Sequence, residues 1–446
     1  MVPGTATNIL DIMFYFIKAV FMSTFSFHYG HSFLSFTLPE TFEIHQVLPS
    51  FVEPDKPEKE IVRQAIDQPL NALVLSEMVT PESTVAIVIN DKTRPVPNSM
   101  LVPLLLEELF TSGVKQENIR FIIGVGTHTP MSEDEYPKLL PAEIIKKYSI
   151  ISHNCDDEMG LNYKGITTRG TPVFVNREFD KADIRIVVGN IEPHHFAGFS
   201  GGVKSAAIGV CGRRTITTNH SLLLNKDATV GNFETNPLRQ DIEEIGQLIH
   251  VDLALNVVMN TNKQILSCLF GKPEDVMREG MKVSRRVSMQ ELPHPVDLVI
   301  ASAGGYPKDI NLYQAQKAMT HASLILRPGG IILLAAACEE GIGSPEYEIF
   351  MQDVYSLDDS IAKFSEQVFS IGPHKAFQIA RIAKDHPILL LSLLPPERVR
   401  QLLLTPVNSI EDGLFQANKM DNRIHSIAVL PYAVSTIPII SDQVYQ

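Results

Sequence analysis

The sequence predicts an α/β protein built from two α/β domains with mostly parallel sheets. Short β-branched runs, such as TVAIVIN at residues 84–90, alternate along the chain with segments of helical periodicity. Polar, often glycine-containing loops follow the ends of several of these runs, as they do in open α/β sheets. The length of 446 residues exceeds what one core ordinarily accommodates, so two or three domains are expected.

The composition is typical of a globular protein with 44% hydrophobic and 20% charged residues. A net charge of −13 argues against a nucleic-acid partner, which favours a basic surface. An anionic small molecule remains compatible, because a few local Arg and Lys side chains suffice to hold one. Cys155, Cys211, Cys268 and Cys338 form no CxxC pair and no zinc-binding spacing, which favours a reducing cytoplasm.

Residues 1–21 are interpreted as a leader or as the result of a start codon assigned too early, with Met22 as the alternative start. The segment Ile9–Phe25 is apolar, but it contains Asp11 and Lys18 and is short for a transmembrane helix. A signal anchor is the alternative. We therefore expect no stable membrane span and a cytoplasmic protein.

Residues 22–285 are predicted to form the N-terminal, cofactor-binding α/β domain. Ser132 and Glu135 have the spacing of a capping box at the start of a helix. The other predicted elements are an edge strand at 32–40, a helix ending at residue 75, strands at 84–90, 119–125 and 182–188, helices at 98–111, 236–249 and 271–283, and a hairpin of 253–259 with 264–270.

A linker is predicted at 284–295, followed by a Rossmann-like α/β domain at residues 290–407. The tail, residues 408–446, is expected to supply a helix and a strand that return to the N-terminal domain. The predicted elements are strands at 297–302, 330–337, 387–393 and 424–430 and helices at 311–326, 345–369, 373–384, 395–404 and 409–418.

Three predicted strands run into loops that carry reactive side chains. Asp91–Arg94 follows the first, His128 follows the second, and the segment Gly189–His220 follows the third. The carboxyl ends of parallel strands meet at one edge of a sheet. If these strands are parallel neighbours, the three loops share one crevice.

The residues of each loop suggest a chemical role, and each loop also has a purely structural explanation. Arg94 can hold a phosphate or carboxylate through two parallel hydrogen bonds, and Asp91 can accept from a ribose hydroxyl or orient Arg94. His128 can act as a general base near neutral pH. The alternatives are a solvated turn at Asp91–Arg94 and a hydrogen-bonded loop histidine at His128.

The segment Gly198–Gly202 precedes Lys204 and can bring backbone N–H groups close to an anion. Its spacing matches neither the Walker motif nor GxGxxG, which argues against ATP hydrolysis and a standard dinucleotide site. Lys204 can form a covalent link or bind phosphate. Alternatively, it is an ordinary surface lysine without a chemical role.

Histidines 194, 195 and 220 can supply a metal ligand or an acid/base pair, or they can be satisfied by loop hydrogen bonds. No HExxH motif accompanies them, which disfavours a conventional zinc hydrolase. Gln314 and Lys317 lie three residues apart on a predicted helix and share a face, either toward a ligand carboxylate or toward solvent.

Taken together, these motifs resemble the family of nickel-pincer cofactor-dependent lactate racemases. The resemblance covers roughly Phe27 to Ile440. The matching segments are DKTRP at 91–95, GTHTPMSEDE at 126–135, GNIEPHHFAGFSGGVK at 189–204, NH at 219–220 and GGYPKDINLYQAQKA at 304–318.

The resemblance implies a two-domain isomerase with its active site in the cleft between the domains. Its activity would be that of a racemase or epimerase of a lactate-like 2-hydroxy acid, by hydride transfer to a covalently bound nickel-pincer nucleotide. This cofactor, pyridinium-3,5-bisthiocarboxylic acid mononucleotide, would be joined to Lys204 through a thioamide, and His220 would ligate the nickel. The implied partners are the substrate and the cofactor-synthesis enzymes.

The resemblance also assigns roles to the other motif residues. His128 and His194 would be opposed acid/base groups. Racemisation fits such a pair, because carbon 2 loses its hydrogen as hydride while a base takes the hydroxyl proton on either face. The residues implied to hold the mononucleotide are Asp91, Lys92, Thr93 and Arg94, and those implied to contact substrate are Arg94, Gln314 and Lys317.

The chain contains no Trp, whereas lactate-active members of the family have one near the site in the second domain. A larger or more polar 2-hydroxy acid is therefore an alternative substrate. A sugar-acid isomerase or dehydratase on the same cofactor, and a non-catalytic nickel- or cofactor-binding protein, are alternative functions.

Overall fold

A computed structural model describes residues 21–94, 96–367, 369–370 and 372–441. Nearly all of the predicted leader, residues 1–20, lies outside the described residues. Among those that are described, no helix is both long and apolar enough to cross a membrane. The chain forms two compact units, which we call the central unit (Pro49–Met289 with Gln367–Phe369) and the terminal unit (residues up to Leu48, Gln290–Glu366 and from Ser370 on).

Strands and helices alternate through both units, as the sequence predicts. The strands are β1 Met22–Tyr29, β2 Ser32–Pro39, β3 Glu43–Gln46, β4 Val85–Asn90, β5 Ile119–Gly124, β6 Ser149–Ser152, β7 Leu161–Ile166, β8 Pro172–Asn176, β9 Ile184–Asn190, β10 Pro193–His194, β11 Gly198–Phe199, β12 Leu253–Met259, β13 Ile265–Gly271, β14 Met289–Leu292, β15 Val296–Ser302, β16 Leu326–Ala335, β17 Ile388–Leu391, β18 Thr405–Val407, β19 Ser426–Leu430 and β20 Ile437–Ile440. The α-helices are α1 Glu58–Asp67, α2 Leu75–Met78, α3 Asn98–Thr111, α4 Ala142–Lys147, α5 Arg177–Asp180, α6 Lys204–Ala207, α7 Arg213–Ser221, α8 Pro237–Leu248, α9 Pro273–Ser288, α10 Leu312–Ser323, α11 Pro345–Met351, α12 Leu357–Ser365, α13 Pro373–Asp385, α14 Pro396–Gln401 and α15 Ile410–Met420.

The main sheet of the central unit has the strand order β13-β12-β9-β4-β5-β6. Its strands are parallel except for the β12–β13 hairpin. Residues Val85–Ile89 of β4 are all buried, as expected for a strand covered on both faces. Because β9, β4 and β5 are parallel neighbours, the loops after them leave the same edge of the sheet. This confirms the expectation that the loops carrying Asp91–Arg94, His128 and Gly189–His220 lie at one edge of the sheet.

The main sheet of the terminal unit has the order β18-β17-β16-β15-β19-β3, and every pairing in it is parallel. The mixed α/β architecture with large, mostly parallel sheets therefore agrees with the predicted class. The domain assignment of the chain ends differs from the prediction. Residues 22–48 were predicted in the N-terminal domain, and the tail was expected to return there, yet both belong to the terminal unit.

The reason is the position of β19, which hydrogen-bonds to β15 on one side and to β3 on the other. The tail strand thus sits inside the second sheet, and a segment from near the start of the chain extends that sheet by one edge strand. Such pairings depend on partners far away in sequence, which local periodicity does not encode.

Two local predictions are also corrected. The predicted linker at 284–295 is the end of α9 followed by β14, which pairs with β20. The predicted helix at 345–369 is two helices, α11 and α12, and the Ser356 side chain caps the second of them.

The expected capping box at Ser132 does not form, because Ser132 makes no side-chain cap bond. The Glu135 carboxylate instead pairs with Lys92 and Lys138. Pro137 lies inside the short 3₁₀ turn that starts here, and proline does not support a longer α-helix at this point.

Candidate active site

Asp91 and His128 form a hydrogen-bonded pair at the carboxyl edge of the central sheet. Asp91 directly follows β4 and is 4% exposed, and its Oδ2 lies 2.6 Å from Nδ1 of His128. Its Oδ1 accepts from the backbone N–H and the hydroxyl of Thr93 at 3.1 and 2.6 Å. An ionised carboxylate only accepts, so Nδ1 of His128 carries the hydrogen and Nε2 keeps its lone pair.

The electrostatics of Asp91 favour this arrangement. Burial raises the pKa of its carboxyl, but the hydrogen bonds from His128 and Thr93 outweigh burial and leave the pKa below its usual value. Asp91 is therefore ionised at neutral pH and stabilises positive charge on His128. The hydrogen-bond partner of Asp91 in the neighbouring loop is therefore His128.

The two cations of the 91–94 loop have different surroundings. Lys92 is half exposed, and its ammonium pairs with Glu135. Arg94 is partly buried, and its positive charge lowers the pKa values of both Lys204 and His194. Arg94 therefore lies close enough to Lys204 for the two charges to interact.

Glycine is required in the loop before Lys204 because neighbouring protein atoms occupy the space of a side chain. Gly201 and Gly202 have φ values of +89° and +59°. A Cβ on Gly201 would lie 2.6 Å from Cγ1 of Ile191, and one on Gly202 would lie 2.5 Å from Cγ of Met277. These two glycines are therefore required by packing within the protein.

Polar side chains from two other elements hold the loop at 196–202 in place. The Arg239 guanidinium, 0% exposed, donates to the carbonyl oxygen of Phe199 at 2.8 Å, and Asn256 accepts from the N–H of Gly202 at 2.6 Å. Sequence reasoning missed both residues. Arg239 could have been recognised from the sequence, because it lies among the apolar, inward-facing positions of the amphipathic helix α8, where a charged residue is unusual.

Lys204 begins α6 directly after this loop and is partly buried. Burial lowers the pKa of its amine to about 7, and the nearby charges of Arg94 and Arg239 act in the same direction. A large share of the Lys204 side chains is therefore neutral and nucleophilic at pH 7. In the same loop, the Ser200 hydroxyl is buried without a hydrogen-bond partner among the described residues, which suits a polar ligand.

His220, on α7, is held in the tautomer that suits metal binding. The Asn219 amide nitrogen donates to the Leu238 carbonyl at 3.0 Å and to Oδ2 of Asp241 at 2.8 Å, which fixes the orientation of the amide. Its Oδ1 then faces Nδ1 of His220 at 3.2 Å and accepts the Nδ1–H. Nε2 of His220 keeps a lone pair, the arrangement of a histidine ligand with a supporting acceptor.

The ionisation of His220 agrees with that role. Burial, together with the charge of Lys204, lowers the pKa of its imidazole to about 3. The rings of Phe196 and Phe369 contact it edge-on at centroid distances of 5.3 and 5.6 Å. His220 is therefore neutral at pH 7 and available as a nitrogen donor.

His194 is fixed in the opposite tautomer to His128. It is 8% exposed, and its Nδ1 accepts the backbone N–H of Ala197 at 3.2 Å, so the ring hydrogen is on Nε2. Burial lowers the pKa of His194 well below its usual value, and the charges of Lys204 and Arg94 add to the effect. Its ring stacks on that of His195 at 4.6 Å.

Gln314 and Lys317 share one face of α10 in the terminal unit, as predicted. Nζ of Lys317 donates to Oε1 of Gln314 at 3.4 Å. The structure adds Lys375, which sequence reasoning missed: its amine is 2% exposed and donates to Oε1 of Gln316 at 2.7 Å. Burial and the charge of Lys317 lower the pKa of Lys375 to about 7, so a second amine lies close enough to Lys317 for the two charges to interact.

The sequence matches two protein-family models, described as the lactate racemase N-terminal domain over residues 29–231 and the lactate racemase C-terminal domain over residues 292–438. The chain belongs to the lactate racemase family. It is accordingly an enzyme of the isomerase class, a racemase. A nickel-dependent cofactor is consistent with this membership.

Similar proteins span nearly the whole chain. The lactate racemase of Thermoanaerobacterium thermosaccharolyticum is 28% identical over 93% of this chain and 99% of its own length. The lactate racemase of Lactiplantibacillus plantarum is 28% identical over 85% of this chain and 91% of its own length.

Two solved structures share the fold. The lactate racemase apoprotein of T. thermosaccharolyticum superposes with a TM-score of 0.83 at 27% identity, covering 93% of this chain and 100% of that one. A protein from Thermotoga maritima superposes with a TM-score of 0.60 at 17% identity, covering 88% and 100%, and supports the fold alone.

Proposed function

We propose that this chain racemises a lactate-like 2-hydroxy acid with a nickel-pincer nucleotide attached to Lys204. The observation that carries the proposal is the state of Lys204, an amine with a pKa lowered to about 7 at the edge of the central sheet. Its charge interacts with His194 and His220, and the loops that carry His128 and His194 leave that same edge.

The residues of the central unit fit the implied cofactor. Lys204 offers a neutral amine for a covalent bond, His220 offers a nitrogen lone pair for nickel, and Ser200 offers a buried hydroxyl to a polar group. Arg94, with its planar guanidinium, would hold the phosphate of the nucleotide or the carboxylate of the substrate. When bound, the nucleotide supplies the acceptor for the hydrogen that leaves carbon 2 of the substrate.

The chain itself moves the hydroxyl proton. Nε2 of His128 has the lone pair that accepts this proton from one enantiomer, and the Asp91 carboxylate stabilises the resulting imidazolium. Nε2 of His194 carries a hydrogen and donates a hydrogen bond to the substrate oxygen on the other face.

The two histidines are therefore not equivalent. For His194 to act as the base, its hydrogen must move to Nδ1, and the hydrogen bond from Ala197 must be given up. We infer that His128 is the base in the arrangement described. The forward and reverse reactions pass through the same states, so His194 needs this tautomer change both to donate a proton and to accept one.

The substrate carboxylate needs cationic partners, and Lys317 beside Gln314 supplies one on α10. This assignment predicts that Lys317→Met weakens substrate binding more than it slows turnover. Lys56→Met is a matched control, because Lys56 is an exposed lysine of the central unit.

The decisive experiment uses protein from a host that also makes the cofactor. Incubation with one lactate enantiomer, followed by chiral chromatography, is expected to give the other enantiomer. A carbon-2 deuterium is expected to remain in the product, because a hydrogen that leaves and returns as hydride does not exchange with water. Intact mass should show one adduct, absent from Lys204→Ala. An active protein with an unmodified Lys204 would refute the covalent cofactor, and nickel without turnover of any 2-hydroxy acid would refute the racemase.

A further inference from the structure

Three side chains of the types that bind metal ions lie close together in the terminal unit. Glu43 and His45 are two residues apart on β3 and therefore point to the same side of the strand, and His294 lies just before β15. Oε1 of Glu43 is 3.1 Å from Nε2 of His45 and 3.0 Å from Nε2 of His294. One donor atom from each of the three residues lies within 4.8 Å of the other two.

The hydrogen bonding of His294 leaves its Nε2 as an acceptor. Nδ1 of His294 lies 3.3 Å from the carbonyl oxygen of Pro295, which only accepts, so Nδ1 carries the hydrogen. Nε2 of His294 then faces the carboxylate of Glu43 at 3.0 Å. A positive species between these two atoms, either a proton or a metal ion, satisfies both lone pairs.

The spacing of the three donor atoms fits a metal ion. With metal–ligand bonds of about 2.1 Å, neighbouring ligand atoms lie about 3.0 Å apart at right angles and about 3.4 Å apart at the tetrahedral angle. The separations of 3.0 and 3.1 Å belong to this range. A carbonyl acceptor behind the Nδ1–H of His294 is also the usual support of a ligating histidine.

We propose that Glu43, His45 and His294 bind a late first-row divalent cation, Zn²⁺ or Ni²⁺. Two imidazole nitrogens and one carboxylate oxygen favour these metals, whereas Mg²⁺ and Ca²⁺ prefer oxygen ligands alone. Water completes the coordination, since Glu43 and His294 are exposed. This site is independent of the proposed function, because none of its ligands is a residue assigned to catalysis or to the cofactor.

The bound cation has a structural consequence. β3 is an edge strand of four residues that pairs with β19 alone. His294 belongs to the connection between β14 and β15, which is distant in sequence from Glu43 (251 residues). A metal held by all three side chains therefore ties this edge strand to the body of its sheet and stabilises the folded state by mass action.

The test is a titration of tag-free protein with ZnCl₂ or NiCl₂ alone. The parent for all variants carries His220→Ala, so that the active-site ligand does not contribute. We expect one equivalent of metal to bind to the parent and to raise its unfolding temperature. His294→Gln and His45→Gln should lose that equivalent and the thermal shift, and MgCl₂ should have no effect on any of them.

His31→Gln is the matched control, because His31 faces Glu339 at 3.7 Å in an exposed two-residue pair of the same unit. It should retain the equivalent. Circular dichroism verifies that each variant is folded. Equal metal binding by the parent and by His294→Gln would overturn the proposal, as would a parent that binds no metal because a proton bridges Glu43 and His294.

Discussion

Oδ2 of Asp91 lies 2.6 Å from Nδ1 of His128, although the two residues are 37 positions apart in sequence. The contact exists because β4 and β5 are parallel neighbours whose loops leave the same edge of the sheet. Asp91 had been predicted to hold the mononucleotide. Its contact with His128 gives it a second role, which is to set the tautomer of the imidazole and to stabilise its charged form.

Asp91→Asn should lower turnover by about 10²–10⁴-fold, because the neutral amide no longer stabilises the imidazolium and no longer enforces one tautomer. The measurement is the initial rate of racemisation by the cofactor-loaded enzyme. Asp91→Asn combined with His128→Asn should be little slower than His128→Asn alone, since the two residues act as a unit. Fully additive losses would contradict the pairing.

Asn219→Ala should weaken nickel retention by about 10-fold, because His220 loses the side-chain acceptor that helps to orient its ring, while its hydrogen bond to the Ile216 backbone remains. The measurement is nickel loss to a chelator from cofactor-loaded protein. It is best made in a His294→Gln background, which lacks the surface cluster. Ser221→Ala, an exposed position on the same helix, should leave nickel retention unchanged. A wild-type rate of loss in Asn219→Ala would remove Asn219 from the site.

Lys204 should react with an amine-acylating reagent at pH 7–8 faster than ordinary lysines, whose pKa is near 10.4. Because burial lowers the pKa of Lys204 to about 7, its reaction rate should level off above pH 8. Peptide mass spectrometry of cofactor-free protein reports the site and the rate. Arg94→Gln should shift the plateau to higher pH, since one repelling charge is removed. A rate that still rises tenfold per pH unit above pH 8 would rule out the lowered pKa.

Stability should fall as the pH drops from 6.5 toward 4. Burial lowers the pKa values of His220 to about 3 and of His321 to about 4, whereas unfolded histidine titrates near 6.5. In that window the unfolded chain binds protons that the native state excludes, so each histidine with a strongly lowered pKa costs up to about 1.4 kcal/mol per pH unit. Urea unfolding at pH 7.5, 6.0 and 5.0 measures the effect.

His321→Gln should reduce the slope of that pH dependence, because its imidazole is 6% exposed and is held by the carbonyl of Ala433. His31→Gln, at an exposed position, should leave the slope as it is. An unchanged slope in His321→Gln would show that its imidazole is protonated in the folded protein.

Much of the fold could be predicted from the sequence because its signals are local. The helix Asn98–Thr111 and the strand Leu253–Met259 have the predicted bounds, since apolar periodicity and flanking turn residues are read over a few positions. The linker prediction at 284–295 was wrong. Mixed charge and two prolines suggested a loop there, but part of the segment forms β14, because β20 from the end of the chain pairs with it.

The sequence by itself determined the order of the elements, the reactive side chains that follow β4, β5 and β9, and the motifs that place the chain in its family. Only the tertiary structure decided which groups meet. Asp91 pairs with His128, Arg239 holds the loop before Lys204, and Glu43 joins His294, each across 37 to 251 residues of chain. Hydrophobic periodicity is a local signal, so a few neighbouring residues are enough to indicate where a helix or strand lies. These contacts instead depend on the order of the strands in the sheet and on which residues are buried, and both depend on the whole chain.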